Sequence, residues 1–117
     1  WSGGHSDAAA GAKMTIITAN LTRSRIAVIK DRVRTICTPG ETVDVLVTEW
    51  GIAVNPRRTD LLERFTKAKL PVHSIEKLRE KAERLCGKAR PIPEGERIVG
   101  LVEYRDGTII DVVRARA

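Results

Sequence analysis

Apolar residues along this 117-residue chain recur in short clusters, and their spacing predicts strands first, helices later and a closing hairpin. Met14 to Ala19 is a β-rich run of the kind found in a strand buried on both faces of a mostly parallel sheet. Leu21 to Arg25 reads as a polar turn, Ile26 to Ile29 as a second short strand, and Val33 to Cys37 as a third extended segment. Thr38-Pro39-Gly40-Glu41 has turn composition, and Val43 to Thr48 follows as a strand. Glu49-Trp50-Gly51 separates it from Ile52-Ala53-Val54, which makes either a tight hairpin or one strand broken at glycine.

Asn55-Pro56-Arg57-Arg58 ends the strand pattern, and Thr59 offers an N-cap to a helix with Leu61, Leu62 and Phe65 on one side. Its acids Asp60 and Glu63 lie near the start and Lys67 and Lys69 near the end, as the helix dipole favours. Pro71-Val72-His73 is an extended link. Ser74 then caps a second helix carrying Ile75, Leu78, Ala82 and Leu85 at helical spacing, with Glu80 and Arg84 as an i,i+4 pair and Gly87 as its stop. Beyond a Pro- and Gly-containing linker from Lys88 to Glu96, Arg97 to Tyr104 and Thr108 to Val113 form two strands joined by Arg105-Asp106-Gly107, an Asp-Gly hairpin signal. The expected architecture is one α/β domain: a mixed sheet, flanking helices and a C-terminal β-hairpin.

Composition narrows this picture. With 3% aromatic residues, the core is built from Val, Ile, Leu and Ala. No apolar run approaches the roughly 18 residues of a membrane span and no signal-peptide pattern is visible, so a cytoplasmic, membrane-free protein is expected. Cys37 and Cys86 are widely separated and read as free thiols. The net charge of +6 invites a nucleic-acid reading, but the cations are scattered among acids and rings for base stacking are scarce. A modest positive excess also suits a ligand with several carboxylates or phosphates. His73 has no second His or Cys at ligand spacing, so no metal site is expected, and it reads as a surface or interface residue.

The opening run Ser2 to Lys13 is the principal candidate for chemistry. Gly3 and Gly4, followed by small residues, either present backbone N–H groups to an anionic or acyl oxygen as a ligand loop ahead of a short helix, or form a tight turn. His5, Ser6 and Asp7 are adjacent and cannot orient one another as a nucleophilic relay. A better reading has His5 and Ser6 donating to a carboxylate or acyl oxygen while Asp7 caps the helix. Asn55, Arg57 and Arg58 sit between a strand and a helix start, where a guanidinium fork either holds a carboxylate or phosphate or is simply solvated. Glu49 is an acid beside a Gly-containing turn, with Trp50 between it and Gly51.

Four blocks in order carry a resemblance: Gly3 to Lys13, Thr38 to Thr48, Gly51 to Arg58, and Tyr104 to Val113. Together they resemble the C-terminal part of the citrate lyase alpha subunit family, within the CoA-transferase superfamily. The resemblance implies a CoA-transferase-like α/β fold and a citrate CoA-transferase reaction, in which citrate replaces acetyl on a thioester carrier. It implies Gly3 and Gly4 at the oxyanion or acyl group, and His5, Ser6, Asp7, Asn55, Arg57 and Arg58 at the substrate. It further implies no tightly bound cofactor; CoA, or the CoA-like prosthetic group of an acyl carrier protein, is substrate. Partners on this reading are the acyl carrier (gamma) and lyase (beta) subunits and further copies of the chain. Since family active sites also draw on upstream residues, the chain alone is expected to be an inactive fragment. The alternative is a non-catalytic binding or subunit-interaction module derived from such an enzyme.

Overall fold

The structure, a computed structural model, describes residues 3–88 and 90–117. Helix α1 (Gly3–Gly11) leads into strand β1 (Ile16–Thr18), the two-residue strands β2 (Thr22–Arg23) and β3 (Ile26–Ala27), and a 3-10 turn at Gly40–Thr42. Strands β4 (Val45–Thr48) and β5 (Gly51–Val54), helices α2 (Thr59–Lys67) and α3 (Ile75–Cys86), and strands β6 (Glu94–Glu103) and β7 (Ile109–Arg116) complete the chain. No helix among the described residues is long and apolar enough to cross a membrane.

The main sheet has the order β1-β4-β5 and is mixed, as expected: β1 runs parallel to β4 with Ile17 opposite Leu46, and β4 pairs antiparallel with β5 with Leu46 opposite Ala53. The β4–β5 connection is the tight hairpin alternative. Thr48 closes it, its Oγ1 donating to the Gly51 carbonyl at 2.8 Å and accepting from the Trp50 N–H at 3.2 Å. β1 differs from expectation. It is an edge strand among the described residues, and Ile16 and Thr18, on one face, are exposed because no layer of these residues packs over them.

Two other segments depart from the pattern reading. Leu21 to Arg25 is not a simple turn, because Thr22 and Arg23 pair with Ala27 and Ile26 around Ser24 and Arg25, both at positive φ (48° and 62°). That geometry is the left-handed pair of a two-residue hairpin, here carried by side chains that seldom adopt it. Val33 to Cys37 forms no strand. It is hung on β7 by side chains: the Asp111 carboxylate accepts the Ile36 N–H at 2.7 Å, and Thr35 Oγ1 donates to the Val112 carbonyl at 3.4 Å. The Ile36 N–H, then that of Val112, holds the Asp111 carboxyl below the usual carboxylate range.

The core lies under α3. Leu21, Ala27, Ala53, Leu78 and Ala82 form one buried cluster with Ile29 and Leu46 packed against it, all aliphatic as composition requires. α3 begins as expected, Ser74 Oγ accepting the Lys77 N–H at 3.2 Å, and stops at Gly87 (φ 78°). Its Glu80 and Arg84 make no ion pair among the described residues. α2 starts at Thr59 with Arg58 in the cap position and no side-chain cap, one residue earlier than the pattern suggests. The β6–β7 hairpin forms around Gly107 (φ 86°), with Asp106 Oδ1 accepting from the Thr108 N–H at 2.9 Å and its hydroxyl at 2.6 Å. This ribbon extends from the remainder, and the radius of gyration of 15.8 Å exceeds the about 13 Å of a compact chain of this length. Val99 and Leu101 are exposed on it. Cys37 and Cys86 are half-buried free thiols.

The link Pro71–His73 adds to the sheet: the Ile52 N–H donates to the Pro71 carbonyl at 3.0 Å and the His73 N–H to the Ile52 carbonyl at 2.8 Å. The chains meet across Gly51, whose φ is +143°. A Cβ there would fall 2.4 Å from His73 Cδ2 and 3.0 Å from the Pro71 carbonyl oxygen. Gly51→Ala is expected to lose about 1–3 kcal/mol of stability in urea unfolding. Adding His73→Ala should restore only part of it, because the backbone clash remains; full recovery would show that the ring alone demands glycine.

Candidate functional site

Alanine is the strongest helix former, and the run Ala8-Ala9-Ala10 carries the helix back through the glycines. Gly3 and Gly4 therefore lie in the first turn of α1 and not in a loop ahead of it. Asp7, expected as a cap, lies in the second turn and is exposed. The N–H groups of Gly3, Gly4 and His5 nevertheless have no acceptor within the helix, so the donors sought in a loop are present at a helix start. Gly4 faces open space: a Cβ on it would meet nothing within 4 Å. The fold does not require glycine there. At the other end, Ala9 is buried and its carbonyl accepts from Thr15 Oγ1 at 3.2 Å, fixing α1 against the start of β1.

The three polar residues after the glycines divide between two neighbours, His5 facing Thr38 while Ser6 and Asp7 face the closing hairpin. His5 Nδ1 shares a 2.8 Å hydrogen bond with Thr38 Oγ1. Ser6 is buried and, with Asp7, lines a cleft of about 350 Å³ whose far wall is Cys37, Glu103, Tyr104 and Arg105. Arg105 reaches α1 itself: a Cβ on Gly11 would sit 3.6 Å from Arg105 Nη1, which puts a guanidinium by the negative end of the helix. Thr38, Tyr104 and Arg105 were not singled out by the sequence reading. Both segments stood inside the resembling blocks, but only the tertiary docking of the hairpin brings them to α1.

Asn55, Arg57 and Arg58 build a separate structure. Asn55 Nδ2 donates to the Val43 carbonyl at 2.9 Å and the Gly40 carbonyl at 3.3 Å, and its Oδ1 accepts the Arg57 N–H at 3.1 Å. Arg58 forks between two carboxylates, Nη1 to Asp44 Oδ1 at 2.8 Å and Nη2 to Asp60 Oδ2 at 3.0 Å. Asn55 and Arg58 thus hold the frame together here, through groups that the resemblance places at the substrate. Arg57 is exposed, with a 3.7 Å contact to Glu41. The segment 38–43 links the two groups, touching His5 at Thr38 and Asn55 at Gly40 and Val43. Glu49 is also structural: both its carboxylate oxygens accept the Leu21 N–H, at 3.0 and 2.9 Å.

The family pattern described as citrate lyase, alpha subunit, matches residues 1–116 of this chain. The chain belongs to the citrate lyase alpha subunit family. It is 55% identical over 113 residues to the citrate lyase alpha chain of Klebsiella pneumoniae and 52% identical over 112 residues to that of Escherichia coli K12. These alignments cover 97% and 96% of the chain and 22% of each relative, so the chain spans about a fifth of their length. A crystal structure assigned to the citrate lyase alpha subunit of Streptococcus mutans, solved in complex with citrate, superposes with a TM-score of 0.94 at 52% identity. It covers 99% of this chain and 23% of that one. The mixed α/β sheet with its closing hairpin is therefore this family's fold in this region.

The Arg58 fork has a measurable signature. Its hydrogen bonds hold the Asp60 carboxyl down to about 2, from an ordinary 3.8. A depressed folded-state value means that the stabilisation from this pair is complete above the unfolded carboxylate pKa of about 4 and is lost as pH falls through about 2. Carbon-detected NMR titration of Arg58→Ala should show Asp60 returning toward 3.8; an unchanged low value would assign the depression to the helix start instead.

Proposed function

We propose that this chain supplies part of the active site of a cytoplasmic citrate CoA-transferase, which exchanges acetyl for citrate on a CoA-type thioester. Family membership carries the reading, and the first turn of α1 supports it chemically. In a direct exchange, a citrate carboxylate oxygen adds to the acetyl thioester carbonyl and expels the carrier thiolate, giving a mixed anhydride. The thiolate then adds to the citryl carbonyl and expels acetate. Each addition passes through a tetrahedral oxyanion, which needs fixed N–H donors. Gly3 and Gly4 are assigned that role. Gly4 suits it because no side chain stands between its backbone and an approaching acyl group, although the packing leaves room for one.

His5, held by Thr38, and Ser6, at the cleft shared with Arg105, are assigned to the acid's carboxylate and hydroxyl oxygens. Arg57, exposed and loosely paired, is the member of the Asn55–Arg58 group still able to contact substrate. The thioester is carried by CoA or by the prosthetic group of an acyl carrier (gamma) subunit, and the citryl product passes to a lyase (beta) subunit. The exposed apolar residues of the β6–β7 ribbon, Val99 and Leu101, support assembly with these partners or with further copies of the chain.

The test is acetyl-CoA and citrate exchange, read as acetate release, by this chain alone and by the complete reading frame that carries it. Exchange by the complete protein and none by the chain alone is the expected result; a complete protein without exchange overturns the assignment. Gly4→Ala in the complete protein separates site from fold. It should leave stability equal or raised by up to about 1 kcal/mol, while slowing exchange on the order of 10²-fold by displacing the acyl group. Unchanged exchange would remove Gly4 from the site.

A further inference from the structure

The β4–β5 turn and α3 enclose a pocket lined by none of the residues assigned to the exchange above. Its volume is about 230 Å³, and its walls are Trp50, His73, Lys77, Lys81 and Arg84 over a floor of buried Leu78. Lys77, Lys81 and Arg84 follow one another at i, i+4 and i+7 on α3, so they form one stripe. The neighbouring stripe carries Glu76, Glu80 and Glu83. None of the three cations makes an ion pair within 4 Å among the described residues.

The fold fixes the aromatic members. Trp50 sits in the tight hairpin turn closed by Thr48, and Lys81 Nζ lies 4.1 Å from its ring centroid, a cation–π contact that orients both groups. The indole remains 49% exposed, in a chain that is only 3% aromatic. The His73 ring is held against Gly51, and its backbone is pinned to Ile52. A half-exposed indole and an imidazole beside three unpaired cations match a ligand with a planar ring and phosphate groups: the ring stacks, and the phosphates take the ammonium and guanidinium donors.

We propose that this pocket binds a nucleoside phosphate, with the base on Trp50 and the phosphates on Lys77, Lys81 and Arg84. Two sources share that chemistry, a free nucleotide and the nucleotide end of CoA, and the second rests on the transferase reading above. In the CoA case the pocket holds the handle of the thioester carrier away from the reacting acyl group, so that binding energy from a remote part of the substrate positions the thioester.

Calorimetric titration of the complete protein with CoA, 3′,5′-ADP, ADP and inorganic phosphate, with no acyl acceptor present, tests this. Lys77→Ala and Arg84→Ala should each weaken nucleotide binding about tenfold or more, while Lys77→Arg and Arg84→Lys retain most of it. Trp50→Leu should weaken nucleotides and leave phosphate unchanged. CoA and 3′,5′-ADP binding far better than ADP assigns the pocket to the carrier; equal binding of ADP assigns it to a free nucleotide. Failure of every nucleotide to bind, affinities unchanged in the Lys77→Ala and Arg84→Ala variants, or phosphate binding as tightly as the nucleotides would overturn the proposal. Because Lys77 and Arg84 are exposed, their variants keep the test valid even if Trp50→Leu does not fold. The readout is binding alone, so loss of acyl exchange leaves this inference standing, and CoA binding that is unchanged in the Lys77→Ala and Arg84→Ala variants overturns this inference while leaving the exchange reading standing.

Discussion

Asp44 is the point at which the separate parts of this chain are tied together. Its Oδ2 accepts the Thr15 N–H at 2.7 Å and its Oδ1 accepts from Arg58 at 2.8 Å. Its own N–H donates to the Thr15 carbonyl at 3.1 Å, and its carbonyl accepts the Asn55 N–H at 2.8 Å. One residue therefore sets the register of β1 against β4, closes the open end of the β4–β5 hairpin and fixes the approach to α2. The carboxylate is half-buried and matched to a charged donor and a backbone donor, the condition under which such an interaction holds geometry instead of exacting a desolvation penalty. Thr15 in turn grips the carbonyl of Ala9, so the position of α1 is inherited from Asp44 through a single intermediate.

The sequence was readable wherever local chemistry decides. Ser74 and Gly87 bound α3, Asp106-Gly107 turns the last hairpin, and Val43 to Val54 folds back on itself, because capping and turn preferences act over two to four residues. It was less readable where distant partners decide. Met14 to Ala19 has the composition of a doubly covered strand, but coverage depends on which elements pack over the two faces of the sheet, and Ile16 and Thr18 are exposed among the described residues. Val33 to Cys37 alternates like a strand and yet is held to β7, Ile36 by the Asp111 side chain 75 residues further on and Thr35 by the Val112 carbonyl.

The candidate site shows the same division. Helix preference in the alanine run overrode the turn preference of Gly3-Gly4, which changed the form of the site from loop to helix start while keeping its donors. Asn55 and Arg58 looked like ligand residues because amide and guanidinium groups between a strand and a helix serve ligands and frameworks equally well. Their framework contacts depend on the positions of Val43, Asp44 and Asp60, which no local pattern supplies. Family membership, in contrast, was carried by the order of four short blocks, a signal independent of which residues touch.

The Pro71–His73 bridge shuts the outer edge of β5, and proline at its head offers no N–H with which to continue a ladder. The main sheet consequently has a direction of growth. Any additional strand, whether from elsewhere in a longer polypeptide or from another molecule, has to be accepted alongside Ile16 to Thr18, where the exposed Ile16 side chain already provides apolar surface for it.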